Sequence, residues 1–90
     1  MTLRFRWNDW NLEHATKHGV TPEEAELVVE SARAPFPEQI GDDKLLVMGR
    51  GIGGRYVQVI YVVDDDGALY IIHARPLTDH QKKRLRRRLR

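Results

Sequence analysis

Apolar and polar residues alternate singly near the start of the chain. Leu3, Phe5 and Trp7 are separated by Arg4 and Arg6, the two-residue period of a strand that buries one face. An edge or hairpin strand is expected there. Asn8 and Asn11 then signal a helix start, with Trp7 before the cap and Leu12 at the fourth helical position, the spacing of a hydrophobic staple. Gly19 supplies the left-handed residue that ends this helix near His18 and lets Val20 fold back on Ala15. Thr21-Pro22-Glu23-Glu24 reads as a capping box with proline at the first helical position, so a second helix opens at once. Its apolar residues Ala25, Val28, Val29 and Ala32 fall at i, i+3, i+4 and i+7, which packs one stripe on a sheet and leaves Glu23, Glu26 and Glu30 to water. Ala34-Pro35-Phe36-Pro37 stops it, since neither proline continues a helix.

From there the pattern becomes a meander of strands: Leu45 to Met48, a glycine-rich turn, Tyr56 to Val63, the turn Asp64-Asp65-Asp66-Gly67, and Leu69 to Arg75. Tyr56 to Val63 is apolar on both faces and belongs in the middle of the sheet. Regular alternation in the last strand puts Leu69, Ile71, His73 and Arg75 on one face and Tyr70, Ile72 and Ala74 on the other. Thr78-Asp79-His80-Gln81 is a further capping box, opening a helix with a narrow stripe of Leu77, Leu85 and Leu89 and otherwise basic faces. The expected fold is one α+β domain over residues 1–90, an antiparallel β-sheet packed against two N-terminal helices, with a basic C-terminal helix.

Ninety residues suit one small domain that can gain stability from a partner. The chain has no cysteine, which removes disulfides and thiolate metal sites. Neither a signal-peptide pattern nor a membrane-spanning run is present, so the expected location is the cytoplasm. The net charge of +2 hides an asymmetry. Seven of the fifteen basic residues lie after position 80, leaving residues 1–80 with eight basic against thirteen acidic groups, a net of −5. A basic tail on an acidic body suits a polyanionic ligand or an acidic partner, against the plainer reading of a solvated helix face.

His73 and Arg75 bring a titratable group and a fixed cation to the end of a buried strand, a pairing suited to phosphate; the alternative is a packing histidine beside a solvated strand end. Gly49-Arg50-Gly51-Ile52-Gly53-Gly54-Arg55 lacks the Lys-Ser/Thr of a phosphate-binding loop and reads as a hairpin turn flanked by two arginines. His14 and His18 have the spacing of a zinc pair but no third ligand at a recognisable distance, so no metal and no cofactor is expected. The Asp64–Asp66 run lacks the spacing of a calcium loop, and Ser31, the one serine, has no triad signature around it. What remains is Lys17, Arg50, Arg55, Arg75 and the tail as cations, with His18 and His73 as proton carriers. Cleavage of RNA by its own 2′-hydroxyl asks for such a set: a base, an acid and cations around the phosphorane.

The segments Phe5-Arg6-Trp7-Asn8-Asp9, Lys17-His18-Gly19-Val20-Thr21-Pro22-Glu23-Glu24-Ala25 and Ile71-Ile72-His73-Ala74-Arg75-Pro76-Leu77-Thr78 together resemble the BrnT family, small bacterial type II toxins with a RelE-like fold. The resemblance runs through nearly the whole chain in order. It implies an endoribonuclease that cleaves mRNA and inhibits translation, and a cognate antitoxin encoded nearby. It also implies contact with promoter DNA only through the toxin–antitoxin complex, and assembly as a dimer or a heterotetramer with the antitoxin. Lys17, Arg55 and Arg75 match basic positions of the family's site, His73 joins them as a proton-transfer candidate, and Arg50, Lys82, Lys83, Arg86 and Arg87 are the expected RNA contacts. The chain departs from the family pattern at Pro76, which replaces a lysine, at His73, which replaces a serine, at Leu85, where a tyrosine is common, and in a first helix one residue shorter. Two other functions fit the same residues: a non-catalytic nucleic-acid-binding module, and a protein-interaction domain whose tail docks on an acidic partner.

Overall fold

The computed structural model describes residues 2–89. In chain order the elements are β1 (Phe5–Arg6), α1 (Asp9–Thr16), α2 (Pro22–Glu30), β2 (Glu38–Gln39), β3 (Lys44–Arg50), β4 (Tyr56–Val63), β5 (Leu69–Pro76) and α3 (Asp79–Arg88), with a short 3-10 turn at Ile52–Gly54 between β3 and β4. The fold is α+β. One five-stranded sheet runs β1-β5-β4-β3-β2, antiparallel except where β1 lies parallel to β5. The sheet is therefore mixed rather than wholly antiparallel, and β1 is an edge strand but no hairpin partner. Among the described residues no helix is long and apolar enough to cross a membrane.

One face of the sheet carries Val47, Val57, Val59, Tyr61, Leu69, Ile71 and Ala74, which form a single core with Ala25, Val28 and Val29 of α2 and with Ala15 and Val20 around the end of α1. On the other face, Leu85 of α3 is 1 % exposed and lines a small cavity with Leu46 and Met48. Of the apolar stripe expected on α3, Leu77 and Leu85 are buried while Leu89 is 47 % exposed, so the helix is held at its first two turns.

The caps fall where the sequence places them, with two changes of partner. Asn8 accepts from the Asn11 backbone and the Asn11 side chain accepts from the Asn8 N–H, a reciprocal box. Asn11 does more than cap. Its fully buried amide also donates to the carbonyls of Arg6, at 3.1 Å, and Ile71, at 3.0 Å, tying the end of β1 and the middle of β5 to the start of α1. The staple does not form: Leu12 is exposed, and the Trp7 indole N–H donates to Glu26 of α2 at 2.8 Å, drawing in a carboxylate expected to face water. At α2, Thr21 accepts from the Glu24 N–H, but the Glu24 carboxylate turns away from the cap toward Arg55.

A bulge in β5 decides which residues share a face. Tyr61 pairs with Ile71 and Ile60 with His73, leaving Ile72 as the extra residue. Adjacent residues of β4 point to opposite faces, so Ile71 and His73 do as well. His73 and Arg75 leave the core face expected from plain alternation and join Ile60, Gln58 and Tyr70 on the α3 side of the sheet. Burying a histidine and an arginine among valines would cost several kcal/mol, roughly the penalty for stranding polar groups in a core. The extra residue avoids that cost and leaves both side chains half-buried on the α3 side of the sheet.

Candidate functional site

His73 sits on the exposed half of that face, beside the turn that closes α1. Lys17 is the C-cap of α1, and Gly19, at φ +84°, reverses the chain there, a conformation glycine adopts without strain. The reversal carries His18 across to β5, where its ring meets that of His73 edge-on with centroids 5.8 Å apart. Arg75 lies two residues along the same strand, opposite Gln58. Its Nε is buried and finds no hydrogen-bond partner among the described residues.

A chain of amides reaches His73 from the start of α3. The Thr78 N–H, which can only donate, meets the Gln81 side-chain oxygen at 3.0 Å. The Gln81 amide nitrogen then donates to the Gln58 oxygen at 3.3 Å, and the Gln58 nitrogen faces His73 Nε2 at 3.2 Å. Because each amide has one donor end and one acceptor end, this order assigns the free lone pair of His73 to Nε2 and its proton to Nδ1. Burial lowers the pKa of His73 below its ordinary 6.5, and the positive charges of His18, Arg75 and Lys17 push it the same way. The imidazole is neutral near pH 7, next to fixed cations. That is the state of a general base beside an anion-binding group.

Of the residues singled out from sequence, Lys17, His73 and Arg75 come together, and His18 joins them. Arg55 is committed elsewhere. Its guanidinium forks onto Glu24, with Nε at 3.0 Å and Nη2 at 2.6 Å, and Nη2 also donates to the Gly19 carbonyl at 2.9 Å. Glu24 is almost fully buried, takes a further bond from the Ile52 N–H, and is held below the ordinary carboxylate range by Arg55. Gly51 is packed against it, since a Cβ there would lie 2.8 Å from Glu24 Cγ. Arg55 thus fastens the turn bearing Lys17 and His18 to the β3–β4 hairpin, and a direct phosphate contact would require it to leave that pair.

Arg50 shares the α3 face of the sheet with Arg75, but it is spread over the Tyr56 ring at 4.6 Å and donates to the Gly54 carbonyl. In α3, Lys82 pairs loosely with Asp79, Arg86 reaches the Lys82 carbonyl, and Arg88 forks onto Glu38 beside the Phe36 ring. Lys83 and Arg87 point to solvent, and Arg90 of the basic tail lies outside the described residues. His14 Nδ1 lies 2.7 Å from the Trp10 carbonyl, and its ring stacks on Trp10.

Gln58 and Gln81 were not legible as site residues. Only the capping role of Gln81 showed in the sequence, and nothing distinguished Gln58 from any polar residue in a strand. No family model, curated protein or solved structure matches the chain.

Proposed function

We propose that this chain is a BrnT-like toxin of a type II toxin–antitoxin system, with a RelE-like fold, acting as a metal-independent endoribonuclease. The observation that supports this reading is the meeting of Lys17, His18, His73 and Arg75 on one solvent-facing patch, although they come from the α1–α2 turn and from β5. In the proposed reaction, His73 Nε2 gives up the Gln58 amide and takes the proton of the 2′-hydroxyl. The 2′-oxygen attacks the adjacent phosphorus, and the bond to the 5′-oxygen breaks as His18 returns a proton to it. Arg75 and Lys17 neutralise the charge that builds on the phosphorane. The products are a 2′,3′-cyclic phosphate and a free 5′-hydroxyl.

Arg75 carries the electrostatic part, because its backbone is fixed in the ladder while a planar guanidinium can meet two phosphate oxygens at once. Both Arg75→Ala and Arg75→Lys are expected to lower cleavage by about 10²- to 10³-fold, the usual loss for one preorganised charge-stabilising group, with the fold retained. The test is purified protein on single-stranded RNA, with the ends of the products identified. Full activity in folded Arg75→Ala protein would remove the site. Binding without any cleavage would favour the nucleic-acid-binding module over the enzyme.

A further inference from the structure

The same helix that delivers His18 carries a second feature one side over. Trp10 and His14 lie one turn apart on a stripe of α1 beside β5, and His18 follows just beyond the helix's C-cap, Lys17. His14 stacks on Trp10 with centroids 4.1 Å apart and planes 13° from parallel, and Tyr70 lies 6.3 Å from Trp10 in a similar plane. Tyr70 is fixed in turn by its hydroxyl on Asn8, at 2.9 Å, and by the Arg6 guanidinium 4.0 Å above its ring. An indole held this firmly is usually buried. Trp10 is 49 % exposed, among the most exposed large apolar side chains of the described residues.

We propose that Trp10, backed by His14 and Tyr70, is a stacking platform for a base next to the phosphate held at His73 and Arg75. This rests on the nuclease reading and adds a base-binding subsite to it. Tyr70, beside Trp10, precedes His73 by three residues of β5, about 10 Å of strand, so a nucleic-acid strand bound at His73 continues onto the indole within a short stretch of backbone. Single-stranded nucleic acid is held by such combinations, cations tracking the backbone and aromatic rings taking the bases without regard to sequence. A docked protein is the rival occupant. The continuity of the stripe with the cation cluster favours RNA, although Asp9 and Glu13 on α1 keep this side from being uniformly basic.

The experiment titrates a short single-stranded 2′-O-methyl oligonucleotide, which lacks the attacking hydroxyl, into the whole protein and follows indole fluorescence. Quenching is expected, and it should weaken sharply with an abasic oligonucleotide of the same length. Trp10→Ala should reduce affinity about 5- to 150-fold, the range for one lost base stack, and Trp10→Phe should recover part of it. The salt slope should be unchanged in Trp10→Ala, since no phosphate contact is removed. Equal binding of abasic and base-bearing probes, or wild-type affinity in folded Trp10→Ala protein, would overturn the platform. Quenching by bases in a protein that never cleaves RNA would uphold the platform while the nuclease reading falls. Cleavage indifferent to Trp10 would do the reverse.

Discussion

Asn11 is the residue through which α1 is fastened to the sheet, and replacing it tests that reasoning directly. Its side chain is 0 % exposed and makes three bonds: it accepts from the Asn8 N–H at 2.6 Å and donates to the carbonyls of Arg6 and Ile71. Asn11→Ala strands the Ile71 carbonyl inside the protein, at about 1–3 kcal/mol, and removes half of a capping box, at about 1 kcal/mol. The total expected is about 3 kcal/mol, a large share of what a small domain possesses, and it should appear as a fall in Tm of roughly 12 °C or more. Asn11→Asp is the sharper variant. It keeps the capping oxygen but sets a carboxylate against two carbonyls, so the folded-state pKa of the new group rises above its unfolded value. Its stability should then be closest to wild type in acid and fall as pH climbs through that raised pKa. Denaturant unfolding followed by circular dichroism at several pH values measures both. A loss under about 1 kcal/mol for Asn11→Ala, or an Asn11→Asp protein whose stability ignores pH, would show that α1 is held by its apolar contacts alone.

The depressed pKa of His73 fixes the sign of one limb of a rate profile: the base works only when neutral, so the rising limb of cleavage against pH should have its midpoint below 6.5. Gln58→Leu, which removes the donor that favours the neutral ring, should move that midpoint upward, and a midpoint unmoved by it would disprove the amide relay. Replacing Lys83, Arg86 and Arg87 with glutamine should lower the log–log salt slope of RNA binding by about 2, at about 0.7 counterion per contact in single strands; no change would turn the tail toward protein or solvent. Glu24, held below its ordinary 4.5 by Arg55, contributes stability that is present above that value and lost as pH falls through the lowered one. Glu24→Gln should therefore differ most from wild type at neutral pH and least in strong acid, and a gap constant across pH would discount the pair.

The elements and most caps were legible because they are local. A threonine or asparagine three residues before a matching partner, a proline at the first helical turn and a glycine after the last act over a few positions, and α1, α2 and α3 all begin where those signals stand. The central place of β4 followed from its two apolar faces. Partners chosen across the chain were not legible. Glu26 waits for Trp7 and Glu24 for Arg55, thirty-one positions away, and in sequence each is one more acidic residue on a helix. The two residues of β2 are too few to show a period.

Of the candidate site, Lys17, His18, His73 and Arg75 were legible as residues, but His73 and Arg75 were expected on the opposite face, and the reason lies in Ile72. A strict period of two assigns His73 and Arg75 to the valine core, where neither could be satisfied, so the pattern already contained a conflict between periodicity and burial. One extra residue resolves it. The bulge keeps Leu69 and Ile71 with Tyr61 on the core side, returns Ala74 to Val59, and turns His73 and Arg75 to the α3 face beside Gln58. The α1 turn brings Lys17 and His18 to the same place because Asn11 anchors the helix start on Ile71, immediately before the bulge, while Arg55 anchors its end through the Gly19 carbonyl. Two structural residues, neither free to touch a substrate while so engaged, thus hold the edge-on approach of His18 to His73. A titratable pair assembled from a helix end and a strand bulge depends on both anchors at once, which is why its geometry could not be read from either segment alone.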